Sequence, residues 1–247
     1  MVRTNPDRAF FLKASLIFYA LWIVSFQLVG RYAVQLPGLD MTSAWDQQIP
    51  LIAAFIWPYE ICYIFPFLPL FILKDWHRFN RALLAVMIAN LLAFIVYVTF
   101  PIAYPKPVLG HGFSERILLL EYTYDFNPGA NKLPSLHVAF TWIVFLACRK
   151  QRLSRLGDFL VLFVAILITF STIFVKQHLI IDAVTGFLWA GGAWGMAKLL
   201  YPRFADPRQE ARLAFKHMIR RIAPLALFAL VLILFAADLY WKIWIKW

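Results

Sequence analysis

The chain has 247 residues, of which 62% are hydrophobic and 18% aromatic, and its mean hydropathy is +0.70. A soluble domain carries about 45–50% apolar residues, so the composition excludes an ordinary water-soluble protein and points to an integral membrane domain. The net charge of +11 would suit nucleic acid on a soluble protein. On a membrane protein it reads as loop charge, and no nucleic-acid partner is expected.

Residues 1–8 are polar and basic, and the first apolar run extends from Phe10 to about Val29. It is too long for a signal-peptide core and is read as a span. After a loop with a Pro37-Gly38 turn, Leu51–Leu73 forms the second span, in which Pro58, Pro66 and Pro69 predict kinks. Ala82–Tyr104 is the third. The long loop 106–133 follows, and its middle, Ser114–Tyr122, mixes leucines with charges as an interfacial helix does. A short fourth span runs from about Pro134 to Cys148. Leu156–Val175 and Leu179–Tyr201 form a hairpin of fifth and sixth spans with His178 at its tip. Residues 202–221 read as a basic connector. Ala223–Tyr240 is the seventh span, closed by an aromatic anchor of Trp241, Trp244 and Trp247. Cys62 and Cys148 lie in or beside apolar runs and read as core thiols. Gly191 and Gly195 form a small-residue face that predicts close helix packing.

Alternating the loops puts seventeen of the 24 lysines and arginines on one side and seven on the other. The positive-inside rule then predicts a cytoplasmic N-terminus and a C-terminus outside. It also gathers Lys106, Lys132, His137, Lys176 and His178 at the outer face, from separate helix ends. His178 and Asp182 are four apart and share a helix face, so the carboxylate can fix the imidazole tautomer and leave Nε2 as base or nucleophile. His137, from another helix, can face His178 and protonate a leaving group. Three lysines around two histidines suit a multiply charged anion, and phosphate is the obvious one. The amides at the start of the fourth helix, by Pro134 and Ser135, add an anion site. Ser135 can also serve simply as that helix's cap. Glu60 and Asn90 lie deep in the second and third spans, and an intramembrane carboxylate must be paired or protonated, for structure or for function. His111 reads as surface. A metal site of His137, His178 and Asp182 is disfavoured because the lysines would repel a divalent ion.

These motifs resemble the type-2 phosphatidic acid phosphatase superfamily, most closely its inositol phosphorylceramide synthase branch. Pro134-Ser135-Leu136-His137 matches the family's Pro-Ser-x-His. His178 and Asp182 match its His-x-x-x-Asp, with Ser171 at the family's serine, and Lys106-Pro107 stands at its Arg-Pro. The likeness spans about residues 46–195. It implies an all-α polytopic bundle with a six-helix core, about 46–201, and an extra span at 222–247. It further implies a nucleophilic His178 oriented by Asp182, a leaving-group acid at His137, phosphate held by Lys106 and Ser135, and no metal or other cofactor. Thr99 and Thr172 stand where the family has lysine and arginine, so phosphate binding falls to Lys106, Lys132 and Lys176. Leu136 replaces a glycine, as in the synthase branch, and the apolar loop 114–126 is expected to lie over the site and thin its water.

The expected function is therefore metal-independent phosphoryl transfer through a phosphohistidine, from a phospholipid donor to a lipid or polyol hydroxyl. The alternatives are a lipid-phosphate phosphatase, acting on phosphatidate or a polyprenyl phosphate, and a protein that binds or transports an anionic lipid without chemistry.

Overall fold

A computed structural model describes residues 6–125, 129–151 and 154–244. Phe126 and the side chains of the tryptophan anchor lie outside the described residues. Among the described residues the fold is all-α, with no strand beyond isolated bridges. The helices are α1 (Pro6–Ala33), α2 (Ala44–Gln48), α3 (Ile56–Ile64), α4 (Pro69–Ile72), α5 (Trp76–Thr99), α6 (Phe113–Tyr124), α7 (Leu136–Cys148), α8 (Arg155–Phe174), α9 (Ile180–Phe204) and α10 (Ala211–Trp244).

Local chemistry sets most of these boundaries. Asp75, Ser135 and Ser154 cap α5, α7 and α8 by accepting from His77 N, Val138 N and Gly157 N. The second apolar segment is a chain of short pieces. Pro66 and Pro69 lack an N–H and sit in the first turns of a 3-10 turn (Phe65–Phe67) and of α4. Four described helices are long and apolar enough to cross a membrane: α1, α5, α8 and the α10 stretch Ala211–Leu239. The protein is thus a polytopic membrane helical bundle. Large apolar side chains that α1, α8 and α10 leave exposed, such as Leu21, Phe163 and Phe228, suit a lipid-facing surface.

Two expectations are corrected. The connector read at 202–221 is shorter: α9 continues through Pro202 to Phe204, and α10 begins at Ala211 and runs unbroken through Pro224. Nor does the Gly191/Gly195 face pack closely, since a Cβ at either position would meet nothing within 4 Å. The close approach is made at Gly186, where a Cβ would lie 2.5 Å from the Ser135 carbonyl oxygen. Small side chains do the same job elsewhere: Ala82, Ala85 and Ala89 of α5 share a core with Ala190, Ala193 and Ala197 of α9.

The loops collect at two ends of the bundle. At one end Arg78 donates to the carbonyls of Leu146, Ala147 and Arg149, and Arg212 pairs with Asp7. At the other, Leu39, Ile102 and Asn131 form isolated parallel bridges that lace three loops into a platform. Gly186→Ala should force α9 away from the α7 N-terminus and cost about 1–3 kcal/mol by overpacking. Gly191→Ala should be neutral or slightly stabilising. Thermal unfolding of the detergent-solubilised variants checks both.

Candidate active site

The C-terminal end of α8 builds the site. Its last turn leaves carbonyls without helical partners, and in a buried setting each must find a donor. The Thr172 carbonyl accepts from the main-chain N–H groups of Gln177 and His178, both at 3.0 Å, which folds the chain back on itself. Lys176 takes a positive φ of 55° in this turn. Phe174 O accepts from Ile52 N at 3.0 Å, and Val175 O from the Tyr122 hydroxyl at 2.6 Å. The turn therefore holds His178 in place while α6 and the segment before α3 are tied to it.

His178 is 4% exposed and Asp182 is fully buried. His178 Nδ1 lies 3.3 Å from Asp182 Oδ2, the same oxygen that accepts from Leu179 N at 2.9 Å. His178 Nε2 lies 3.1 Å from His137 Nδ1. His137 is in the first turn of α7, which Ser135 caps and which is fixed by hydrogen bonds from Ser135 N to Asp182 O (3.1 Å) and from Tyr97 to Pro134 O (2.8 Å). Burial first, then the positive charges of Lys132 and Lys106, holds His178 well below the usual histidine range, so it is neutral at pH 7.

The lysines are placed less uniformly. Lys132 is 1% exposed and forms a buried ion pair with Asp125. Lys106 lies against the rings of Tyr104 and Tyr122 and donates to Lys176 O (2.6 Å), Gln177 O (3.3 Å) and Gln177 Oε1 (3.0 Å). Lys132 Nζ reaches the same Gln177 Oε1 at 3.4 Å. Both ammonium groups thus converge one residue from His178. Burial, and next the charge of Lys132, holds Lys106 well below the ordinary lysine range. Burial alone would raise the Asp125 carboxyl, but Lys132 and Lys106 outweigh it and hold it below its usual range. Lys176 is not brought into this group, for its ammonium donates to Asp46 O at 2.8 Å. The Ser135 hydroxyl is used as the helix cap, and the Ser171 hydroxyl turns back onto Ile168 O at 2.6 Å. Glu60 is half-buried on α3.

Several residues that sequence reasoning missed complete the site. Tyr59 Oη lies 3.1 Å from both His137 Nε2 and Glu121 Oε1, and the Tyr63 hydroxyl donates to the same carboxyl oxygen. Asp46 Oδ1 accepts from Ile180 N at the start of α9. The available signal was spacing: Tyr59 and Tyr63 are four apart on one face of α3, and Glu121 in the last turn of α6 is four before Asp125, which caps that helix.

A family model described as the PAP2 superfamily matches residues 38–196. The chain belongs to the PAP2 superfamily. The match starts after α1 and ends within α9, so α1 and α10 lie outside it. Members of the PAP2 superfamily are phosphatases or phosphotransferases. Among curated proteins it is 26% identical over 120 residues to an uncharacterised protein of Methanocaldococcus jannaschii, covering 49% of this chain and 48% of that one. The chain thus spans about half the length of this relative. No solved structure gives a significant match.

Removing the Asp125 charge tests the electrostatics. Asp125→Asn strands a buried ammonium at Lys132, which should cost about 3–5 kcal/mol. The sign with pH follows from the depressed carboxyl. Its stabilisation is complete above the ordinary aspartate range and is lost as pH falls through the lower folded-state value. Unfolding of wild type and variant across acid pH should show that loss only in the wild type.

Proposed function

We propose that the protein transfers a phosphoryl group from a membrane lipid through a phosphohistidine at His178. The observation that carries this reading is the His137–His178–Asp182 array, in which His178 and Asp182 are buried and His137 is half-buried. Asp182 accepts the Nδ1 proton of His178, which leaves Nε2 with a lone pair to attack phosphorus. His137, facing that nitrogen, supplies the proton for the departing oxygen and can withdraw one from the incoming hydroxyl. The phosphate takes the place of Gln177 Oε1 between Lys106 and Lys132, whose charges stabilise the equatorial oxygens as the bond order around phosphorus changes. Substrate must part the two imidazoles, since their facing nitrogens are 3.1 Å apart. Lys176 and Ser135 act at the edge of this site, by charge and by fixing the start of α7. Ser171 and Glu60 support the surrounding helices.

A lipid substrate is supported by an apolar cleft of about 570 Å3 between α1, α3, α5, α7 and α10, with His137 and Tyr63 among its walls. Trp22 Nε1 and Asn90 Oδ1 leave a donor and an acceptor unpartnered among the lining residues, suited to the polar linkage of a lipid. The charge asymmetry of the loops supports a site at the extracytoplasmic face, with the N-terminus cytoplasmic. A transferase of the inositol phosphorylceramide synthase type is favoured over a phosphatase. Leu136 is buried where the hydrolytic motif has glycine, and α6 packs Leu118 and Tyr122 against Tyr59 and Val175 beside the histidines. Little water reaches such a site, which favours a bound hydroxyl as acceptor.

The test supplies purified protein with a labelled phospholipid donor, with and without a ceramide-like or polyol acceptor. Acceptor-dependent appearance of a new phospholipid is expected. Release of free phosphate that no acceptor affects would assign a phosphatase instead, and binding without turnover would leave only a lipid-binding protein. His178→Ala should abolish turnover, and Asp182→Asn should lower it by about 10²–10⁴, by analogy with other histidine-orienting carboxylates. A reporter in the 149–155 loop should label as cytoplasmic.

A further inference from the structure

The contacts of His137 extend away from the substrate side as well as toward it. From Asp182 the chain of contacts passes through His178 and His137 to the Tyr59 hydroxyl and ends on Glu121. Every link is 3.1–3.3 Å. Each ring nitrogen and hydroxyl in it can give at one end and take at the other, so the chain has two self-consistent directions. With Glu121 protonated, Tyr59 donates to His137 Nε2, His137 Nδ1–H faces His178 Nε2, and His178 Nδ1–H faces the Asp182 carboxylate. Reversed, Glu121 is ionised, Asp182 carries the proton, and His178 Nε2 is blocked by hydrogen. Only the first direction leaves a nucleophile.

We propose that Glu121, acting through Tyr59, is the proton reservoir that sets the tautomer of His137 and refills it during phosphoryl transfer. The inference rests on the phosphoryl-transfer reading of the site. In the first half-reaction His178 Nε2 forms its bond to phosphorus as the bond to the leaving oxygen breaks. The leaving oxygen takes the Nδ1 proton of His137. Tyr59 passes its proton to His137 Nε2, and Glu121 passes its own to Tyr59, so the carboxyl ends ionised. In the second half the acceptor oxygen forms its bond to phosphorus as the bond to His178 Nε2 breaks and returns its electron pair to that nitrogen; the hydroxyl proton goes to His137 Nδ1, and the other two protons return to Tyr59 and Glu121. His137 thereby serves as acid and then base without carrying a full charge.

Glu121 is suited to this by its surroundings. Burial raises its carboxyl to about 7, against the hydrogen bond from Tyr63, with Glu60 and Asp125 adding to the rise. The groups facing it are Tyr59, Tyr63, Glu60 and Cys62 on α3, Tyr19 on α1, and Asp125, which caps its own helix. None of these is a cation, so only the hydrogen bonds of Tyr63 and Tyr59 favour the ionised carboxylate, and it can exist in both forms near neutral pH. Glu121 is a positioning residue, since it reaches the substrate only through His137.

The test compares a lipid alkyl phosphoester with an aryl phosphoester whose leaving group needs no proton. Glu121→Gln can still donate to Tyr59 but cannot give up its proton. It should lower the alkyl-to-aryl ratio of phosphoenzyme formation rates on the order of 10²-fold, the usual size of a general-acid contribution. In the wild type the alkyl rate should fall as pH rises through about 7, the value to which the Glu121 carboxyl is raised. That limb should vanish in the variant. Tyr59→Phe should lower the ratio in the same way and serves as the second variant if the first misfolds, with vanadate binding as the check of an intact site. Equal losses on both substrates, or a retained alkaline limb in Glu121→Gln, would overturn the relay. A wild type that forms no phosphoenzyme from either substrate would instead refute the phosphoryl-transfer reading, and the relay with it.

Discussion

The unpaired carbonyls at the end of α8 are the constraint on which the site depends. A helix that ends in water leaves them solvated, but here the end is buried and every one must find a donor from the protein. The donors are the returning main chain at Lys176, Gln177 and His178, the N–H of Ile52 and the hydroxyl of Tyr122, and the ammonium of Lys106 donates to Lys176 O in the turn that follows. Satisfying the carbonyls thus brings α6, the Lys106 loop and the segment before α3 to one point. His178 is positioned as a consequence of closing the helix, and the same closure draws a lysine to its side.

Charge balance accounts for what surrounds that point. The buried Lys132 and the half-buried Lys106, next to two histidines, would repel each other without compensation, and Asp125 supplies it at Lys132. Lys106 is instead held by carbonyl oxygens and aromatic faces, which stabilise a cation with less electrostatic strength than a carboxylate does. This difference leaves Lys106 the cation more readily released to an incoming phosphate. The ordinary polar groups complete the arrangement. Gln177 Oε1 offers both ammonium groups an acceptor, and Tyr59 links His137 to α6.

The membrane class, the helix hairpin around His178 and the pairing of His178 with Asp182 were legible because each is local, whereas His137 was brought to the same face only by the alternation of the spans. Apolar runs mark helices, and a spacing of four puts His178 and Asp182 on one face. Glu121, Asp125, Tyr59 and Tyr63 were not legible, because their role exists only once α3 and α6 pack together. The lysines were read as a group by charge alone, and charge does not say where a flexible ammonium lands. Lys176 ends on the Asp46 carbonyl rather than beside Gln177. The basic stretch before Pro224 looked like a connector because charge and proline both suggest interruption. In the structure α10 carries its basic residues on the first turns of one long helix. The glycines show the same limit, for spacing suggested Gly191 while tertiary contact selects Gly186.

In the proposed reaction His178 Nε2 is the group that takes the phosphate. The direct measurement is to quench turnover of a labelled phospholipid donor in alkali, digest the protein, and locate the phosphate by mass spectrometry. The expected result is an acid-labile, alkali-stable phosphate on the peptide carrying His178, absent from His178→Ala. Phosphate on Ser135 or on His137, or turnover with no labelled peptide at all, would contradict it.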